Sequence, residues 1–168
     1  GVIPQKAVLF SGSIADNIRF GKKDATDEEV IHAAKIAQAY SFIMDKENGF
    51  NEPISEGATN VSGGQKQRLS IARALVRKAQ IYIFDDSFSA LDFKTDAVLR
   101  KELKKELSES IMLVVAQRIS SIMDADQIIV LNEGKVVGQG THHQLLKECQ
   151  IYYEIATSQL SEEELNYE

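Results

Sequence analysis

The tetrapeptide Ser62-Gly63-Gly64-Gln65 runs straight into a helical pattern, and shortly after it Ile81-Tyr82-Ile83-Phe84 ends on two carboxylates, Asp85 and Asp86. Ser-Gly-Gly at a helix start places backbone N–H groups and the positive end of the helix dipole where an anion can approach. Gly63 and Gly64 carry no side chain to block that approach. Alone, the tetrapeptide also reads as an ordinary serine cap with glycines, and two Asp after a strand also start loops. Four apolar residues followed by Asp at a strand's carboxyl end are the Walker B pattern, which aims a carboxylate at magnesium beside bound phosphates. Asp85 is that carboxylate, and the helix start beside the strand makes a phosphate site the better reading of both.

The chain around this pair falls into two unlike halves. The first is mainly helical. Thr26 with Glu29 forms a capping box ahead of Val30, Ala33, Ala34 and Ala37 at helical spacing. Asn48-Gly49 and Pro53 then open a loop, and a second helix from about Ser62 aligns Leu69, Ala72 and Val76. The second half alternates strands and helices: Ile81 to Phe84, a helix over Leu99 to Leu107, Ile111 to Val115, and Ile128 to Leu131. Such unbroken apolar strands predict a buried parallel sheet. Asn132-Glu133-Gly134 predicts a hairpin turn into Lys135 to Gln139. Thr141 with Gln144 starts a C-terminal helix that leads into an acidic tail of low order.

Composition narrows the function classes. With 168 residues and 43% hydrophobic content there is material for one core. A net charge of −6 without a Lys/Arg block argues against a nucleic-acid surface. The densest basic stretch, Arg100 to Lys105, is broken by Glu102 and lies on a helix whose Leu99, Leu103 and Leu107 repeat every fourth position. The longest apolar runs, such as Ile111 to Ala116, are far below the roughly 18 residues of a membrane span. A single Cys149 and the lack of an export signal predict a reducing, cytosolic setting. His32 and the pair His142-His143 are expected at the surface or in caps, and Tyr152-Tyr153 in the packing of the last helix.

In order and spacing, these motifs resemble the ATP-binding-cassette domains of exporter-type transporters along essentially the whole chain. The resemblance implies an α/β fold, a truncated P-loop NTPase (RecA-like) sheet with an inserted helical subdomain. Residues 1–78 would hold the Q-loop, helical subdomain and signature helix, 79–150 the Walker B, D-loop and switch-loop core, and 151–168 a C-terminal helix and tail. Gln5 resembles the Q-loop glutamine, which in the family touches magnesium together with the Walker B Asp85 and senses the transmembrane domain. Glu52 to Asn60 resembles the exporter loop before the signature, with Glu56 at its acidic position and Gly57-Ala58 departing from the usual basic residue and glycine. Ser89-Ala90-Leu91-Asp92 matches the D-loop, and Thr141-His142 resembles the Gly-Thr-His segment.

The resemblance further implies ATP and Mg2+ as ligands, a second nucleotide-binding domain as partner, and attachment to a transmembrane domain at the cytoplasmic face of a membrane. In the family, each ATP is sandwiched between the Walker motifs of one domain and the signature, here Ser62 to Gln65, of the other. Two positions depart from the pattern. Asp86 stands where the family usually has a water-polarising Glu, and Gln117 where it generally has its switch histidine; Gln can hydrogen-bond a phosphate but cannot become cationic. Together they resemble the degenerate-site subunit of a heterodimeric exporter.

The pattern GxxxxGK[ST], whose amides and Lys hold nucleotide phosphates, does not occur in these residues. As given, the chain is therefore expected to be a fragment that does not hydrolyse ATP alone, with an apolar sheet edge that favours self-association. Two other readings are a non-transport ATPase of the same superfamily, acting in DNA repair or translation, and a regulatory interaction module without ATP chemistry. The LFSGSIADNI stretch from Leu9, following Gln5, favours transport.

Overall fold

The computed structural model describes residues 1–161 and Leu165. The acidic tail expected after the last helix falls on residues 162–164 and 166–168, outside the described residues. Contacts divide the chain into two units, Gly1–Val115 and Ala116–Glu168.

The first unit runs β1 Val2–Ile3, β2 Gly12–Ser13, α1 Ile14–Arg19, α2 Asp27–Ile36, α3 Tyr40–Met44, β3 Pro53–Ile54, α4 Gly63–Leu75, β4 Ile81–Asp85, α5 Phe93–Glu106 and β5 Ile111–Val115. The helix starts are written locally. Thr26 accepts from the Glu29 amide while the Glu29 side chain accepts from the Thr26 amide, and Ser62 with Gln65 repeats the box at α4. Ser13 with Asp16 forms a third. The helix expected over Leu99 to Leu107 begins earlier, at Phe93, because Asp92 caps it by accepting from the Thr95 amide at 2.9 Å.

β1, β4 and β5 form a parallel sheet in the order β1-β4-β5, pairing Ile3 with Phe84 and Phe84 with Val114. One face is buried: Ile3, Tyr82 and Phe84 join a core with Leu69 and Ile71 of α4 and Leu99 and Leu103 of α5. The other face carries Val2, Ile81, Ile111, Leu113 and Val115, all at least half exposed. The sheet expected to be buried is thus corrected to one buried on a single face. Apolar runs read alike in both cases, because run composition does not say which faces have a neighbour.

Glu29 does more than cap α2. It accepts two hydrogen bonds from Lys22 at 2.8 Å and lies 3.1 Å from Lys78 Nζ, joining the loop before α2 to the end of α4. The Lys22 and Lys78 ammonium groups, with the Thr26 amide, hold its carboxyl at about 2, below the ordinary 4.5. A depressed carboxyl favours folding when ionised, so its contribution is complete above pH 4.5 and is lost as the pH falls towards 2. Urea titrations of wild type and Glu29→Gln should therefore differ at neutral pH and converge between about pH 5 and pH 2. A gap that persists at the acid end would contradict the tie.

The second unit contains β6 Ile128–Asn132 and β7 Lys135–Gly140, an antiparallel hairpin, followed by α6 His142–Glu148 and α7 Gln150–Gln159. Ile119, Ile128, Val130, Leu145, Tyr152 and Ala156 form its core. His142, expected at the surface or in a cap, is corrected to a buried position: its Nδ1 lies 2.7 Å from the Tyr152 hydroxyl. Burial lowers the His142 pKa and pushes the Tyr152 hydroxyl up to about 12. Tyr152 packs as expected, whereas Tyr153 is exposed.

Candidate functional site

In an open parallel sheet the ligand crevice lies beyond the carboxyl ends of the strands. Gln5 follows β1 there, and Asp85 and Asp86 end and follow β4. Asp85 points to the exposed side of the sheet, in line with Ile81 and opposite the buried Tyr82 and Phe84. The Gln5 side-chain amide donates from Nε2 to Asp86 Oδ2 at 3.1 Å, so the structure brings these two together across 81 positions of sequence. The Asp86 amide donates to the Val115 carbonyl at 2.9 Å, and its own carbonyl accepts from the Ser89 hydroxyl at 2.9 Å. Beneath them Ser87, buried, donates to the Ile3 carbonyl at 2.8 Å.

Ser62, Gly63, Gly64 and Gln65 open α4. Their capping box fixes the Gln65 side chain on the Ser62 amide at 3.0 Å, which sets the direction of the helix start. A Cβ on Gly63 would meet nothing within 4 Å, so this glycine faces open space. A Cβ on Gly64 would lie 3.2 Å from the Ala90 carbonyl oxygen and 3.8 Å from Leu91, so the helix start abuts the loop Ser89-Ala90-Leu91-Asp92 closely. The Thr95 amide and side chain, which hydrogen-bond the Asp92 carboxyl, hold it below its ordinary value, with a smaller contribution from Arg68 of α4.

Gln117 belongs to the second unit. Its carbonyl accepts from Gln159 Nε2 at 2.9 Å, and the Ile119 amide donates to Gln159 Oε1 at 2.9 Å, so one amide side chain of α7 holds the segment that carries it.

Three supporting residues escape a reading of the sequence. Gln67, 2% exposed, donates to the Pro4 carbonyl at 3.0 Å and ties α4 to the Gln5 loop. Its signal is a polar residue on the stripe Gln67, Ile71, Ala74, at i, i+4 and i+7, but nothing local names its partner. Arg73 of α4 donates to the carbonyls of Asn17 and Val8 and to Asn17 Oδ1 at 2.8 to 2.9 Å, under Phe10 and Phe20. Gln159 is the third.

The residues fit a nucleotide-borne magnesium ion. The Asp85 carboxylate and the Gln5 side-chain carbonyl could supply oxygen ligands at one set of strand ends, the donor type magnesium takes. Among the described residues no group of three His, Cys, Asp or Glu could hold a metal ion unaided. Magnesium on a nucleotide needs one or two carboxylates, because phosphates and water complete its shell.

A parallel sheet packed on helices, with carboxylates and an amide at its strand ends, defines an α/β protein with a P-loop NTPase fold. The sequence profile of the ABC transporter family matches residues 1–89. The chain belongs to that family. It is 45% identical over 162 residues to an uncharacterized ABC transporter ATP-binding protein of Mycobacterium tuberculosis, covering 95% of this chain and 28% of that protein. It is 43% identical over 159 residues to human ATP-binding cassette sub-family B member 5, covering 95% and 13%. It also superimposes on the structure of a bacterial Atm1-family ABC exporter with ATP bound, with a TM-score of 0.92 and 37% identity, covering 96% of this chain and 29% of that one. The chain thus spans less than a third of the length of these proteins. Among the described residues no helix is long and apolar enough to cross a membrane.

Proposed function

We propose that the chain is part of the ATP-binding subunit of an ABC exporter, in which MgATP binding and hydrolysis drive a transmembrane domain. The observation that carries this reading is the capped start of α4: Gly64 seats the helix against Ala90, while Gly63 stays open to an approaching anion. In the proposed assembly Ser62, Gly63, Gly64 and Gln65 complete a nucleotide site on a second nucleotide-binding domain, in a heterodimer at the cytoplasmic face of the membrane. Asp85 and Gln5 would hold magnesium in the chain's own site, Asp86 would face the attacking water, Gln117 would meet the terminal phosphate, and Ser89 to Asp92 would line the contact between domains. The family's bound ATP supplies the phosphoanhydride that is cleaved. What these residues do is orient it and exclude solvent.

Both relatives named above, one bacterial and one human, are called ABC transporter or ATP-binding cassette proteins, and the matching structure is an exporter, which supports transport over DNA repair, translation or a purely regulatory role. The test is Gly63→Arg in the full-length transporter, read by nucleotide trapping at each site separately. Trapping at the partner's site should fall at least about tenfold, since a long cationic side chain then fills the open approach, while the chain's own site should keep binding nucleotide. Unchanged trapping at both sites would refute the proposal.

A further inference from the structure

Three hydrogen bonds tie the end of β1 to α4 and to the segment after β4, and they differ in kind. Ser87 to the Ile3 carbonyl is buried, and Gln67 to the Pro4 carbonyl is part-buried on a residue 2% exposed. The third, Gln5 to Asp86 at 3.1 Å, is exposed to solvent. A solvent-exposed hydrogen bond exchanges with water at a modest net cost, whereas breaking a buried one strands its partners. The first two are therefore permanent ties, and the third can open.

The backbone makes this third contact deliberate. Asp86 has φ +44, in the left-handed region that non-glycine residues rarely adopt and that Asp tolerates better than most. It is held there on both sides, through its amide to Val115 and its carbonyl to Ser89. A strained residue so firmly fixed at a ligand crevice points to a functional constraint. The constraint delivers the carboxylate to the Gln5 amide. In that pose Gln5 turns its N–H, not its carbonyl oxygen, towards the carboxylate. A cation held by Gln5 would need the amide reversed, because only Gln5 Oε1 can ligate it.

We propose that the Gln5–Asp86 hydrogen bond is a resting catch that competes with the divalent cation, so that magnesium-loaded nucleotide must open it and metal-free nucleotide need not. The inference rests on the nucleotide-binding reading above and adds a regulatory role for the pair.

The experiment measures binding of a non-hydrolysable ATP analogue to the full-length transporter, with magnesium and with a chelator, in wild type, Asp86→Ala, Gln5→Ala and the double variant. Asp86→Ala should raise affinity for the magnesium complex about three- to tenfold more than for the metal-free analogue. That excess should vanish in the Gln5→Ala background. Asp86→Asn, which keeps an acceptor for Gln5 and a tolerance for the left-handed backbone, should show no excess. A plain charge effect gives the opposite order, since the metal-free analogue is the more negative ligand. Equal gains, a larger metal-free gain, or an excess that survives Gln5→Ala overturns the catch alone. No binding of the analogue by wild type overturns the nucleotide reading, and the catch with it.

Discussion

Changing Asp86 to Glu and Gln117 to His together in the full-length transporter is expected to raise hydrolysis at the site they serve by about a hundredfold. On the proposed reading the two residues govern different parts of one step. Asp is one methylene shorter than Glu, and a general base displaced by about 1 Å from its water loses roughly that factor. Gln can donate to a phosphate oxygen but cannot supply a cation or exchange a proton, and His can. The single variants should each give less than the pair. Asp86→Glu also meets a backbone cost, because the left-handed φ of +44 suits Asp better than Glu. Single-turnover hydrolysis with site-resolved trapping reads the result. A pair no faster than wild type would mean that the site is slow for another reason, and the degenerate-site proposal would be withdrawn.

The second large effect is structural. Arg73→Ala is expected to destabilise the first unit by about 3–5 kcal/mol, since hydrogen bonds from a charged donor contribute about 1.5–3 kcal/mol each and the stranded carbonyls add to the loss. Arg73 is half-buried, which lowers its pKa, and it makes three hydrogen bonds with Asn17 and Val8. Asn17, 2% exposed, in turn bonds the amide and the carbonyl of Phe10 at 2.8 Å and the Ser13 carbonyl at 3.0 Å. One guanidinium thus organises the loop from Val8 to Ser13, which follows Gln5. The close seat of Gly21 belongs to the same region: a Cβ there would lie 1.9 Å from the Arg73 carbonyl oxygen. Arg73→Lys should recover less than half of the loss, because an ammonium cannot present the planar fork that reaches Asn17 and Val8 together. Urea midpoints for the three proteins, at unchanged slope, test this. Full recovery by Lys would show that charge, not donor geometry, holds the loop.

The features legible in the sequence are those that neighbouring residues settle among themselves. Thr26 with Glu29, Ser62 with Gln65 and Thr141 with Gln144 are pairs three residues apart, and each forms its capping box in the structure. The strands Ile81 to Phe84 and Ile111 to Val115 follow from apolar runs, and the motifs at their ends carry the resemblance to the ABC transporter family in the sequence itself. Local propensity and periodicity suffice there, because the interacting groups are set by helix and strand geometry alone.

Other features were decided only when distant segments met. Gln5 reaches Asp86 across 81 positions, Gln67 reaches Pro4 across 63, and Arg73 reaches Asn17 across 56. Periodicity tells which face of a helix is buried but not what it is buried against. For that reason the sheet expected to be buried has one open face, and His142, expected at the surface or in a cap, lies inside against Tyr152. A buried polar group must find a partner wherever the fold supplies one, and that partner is named by the packing of the chain rather than by the order of its residues.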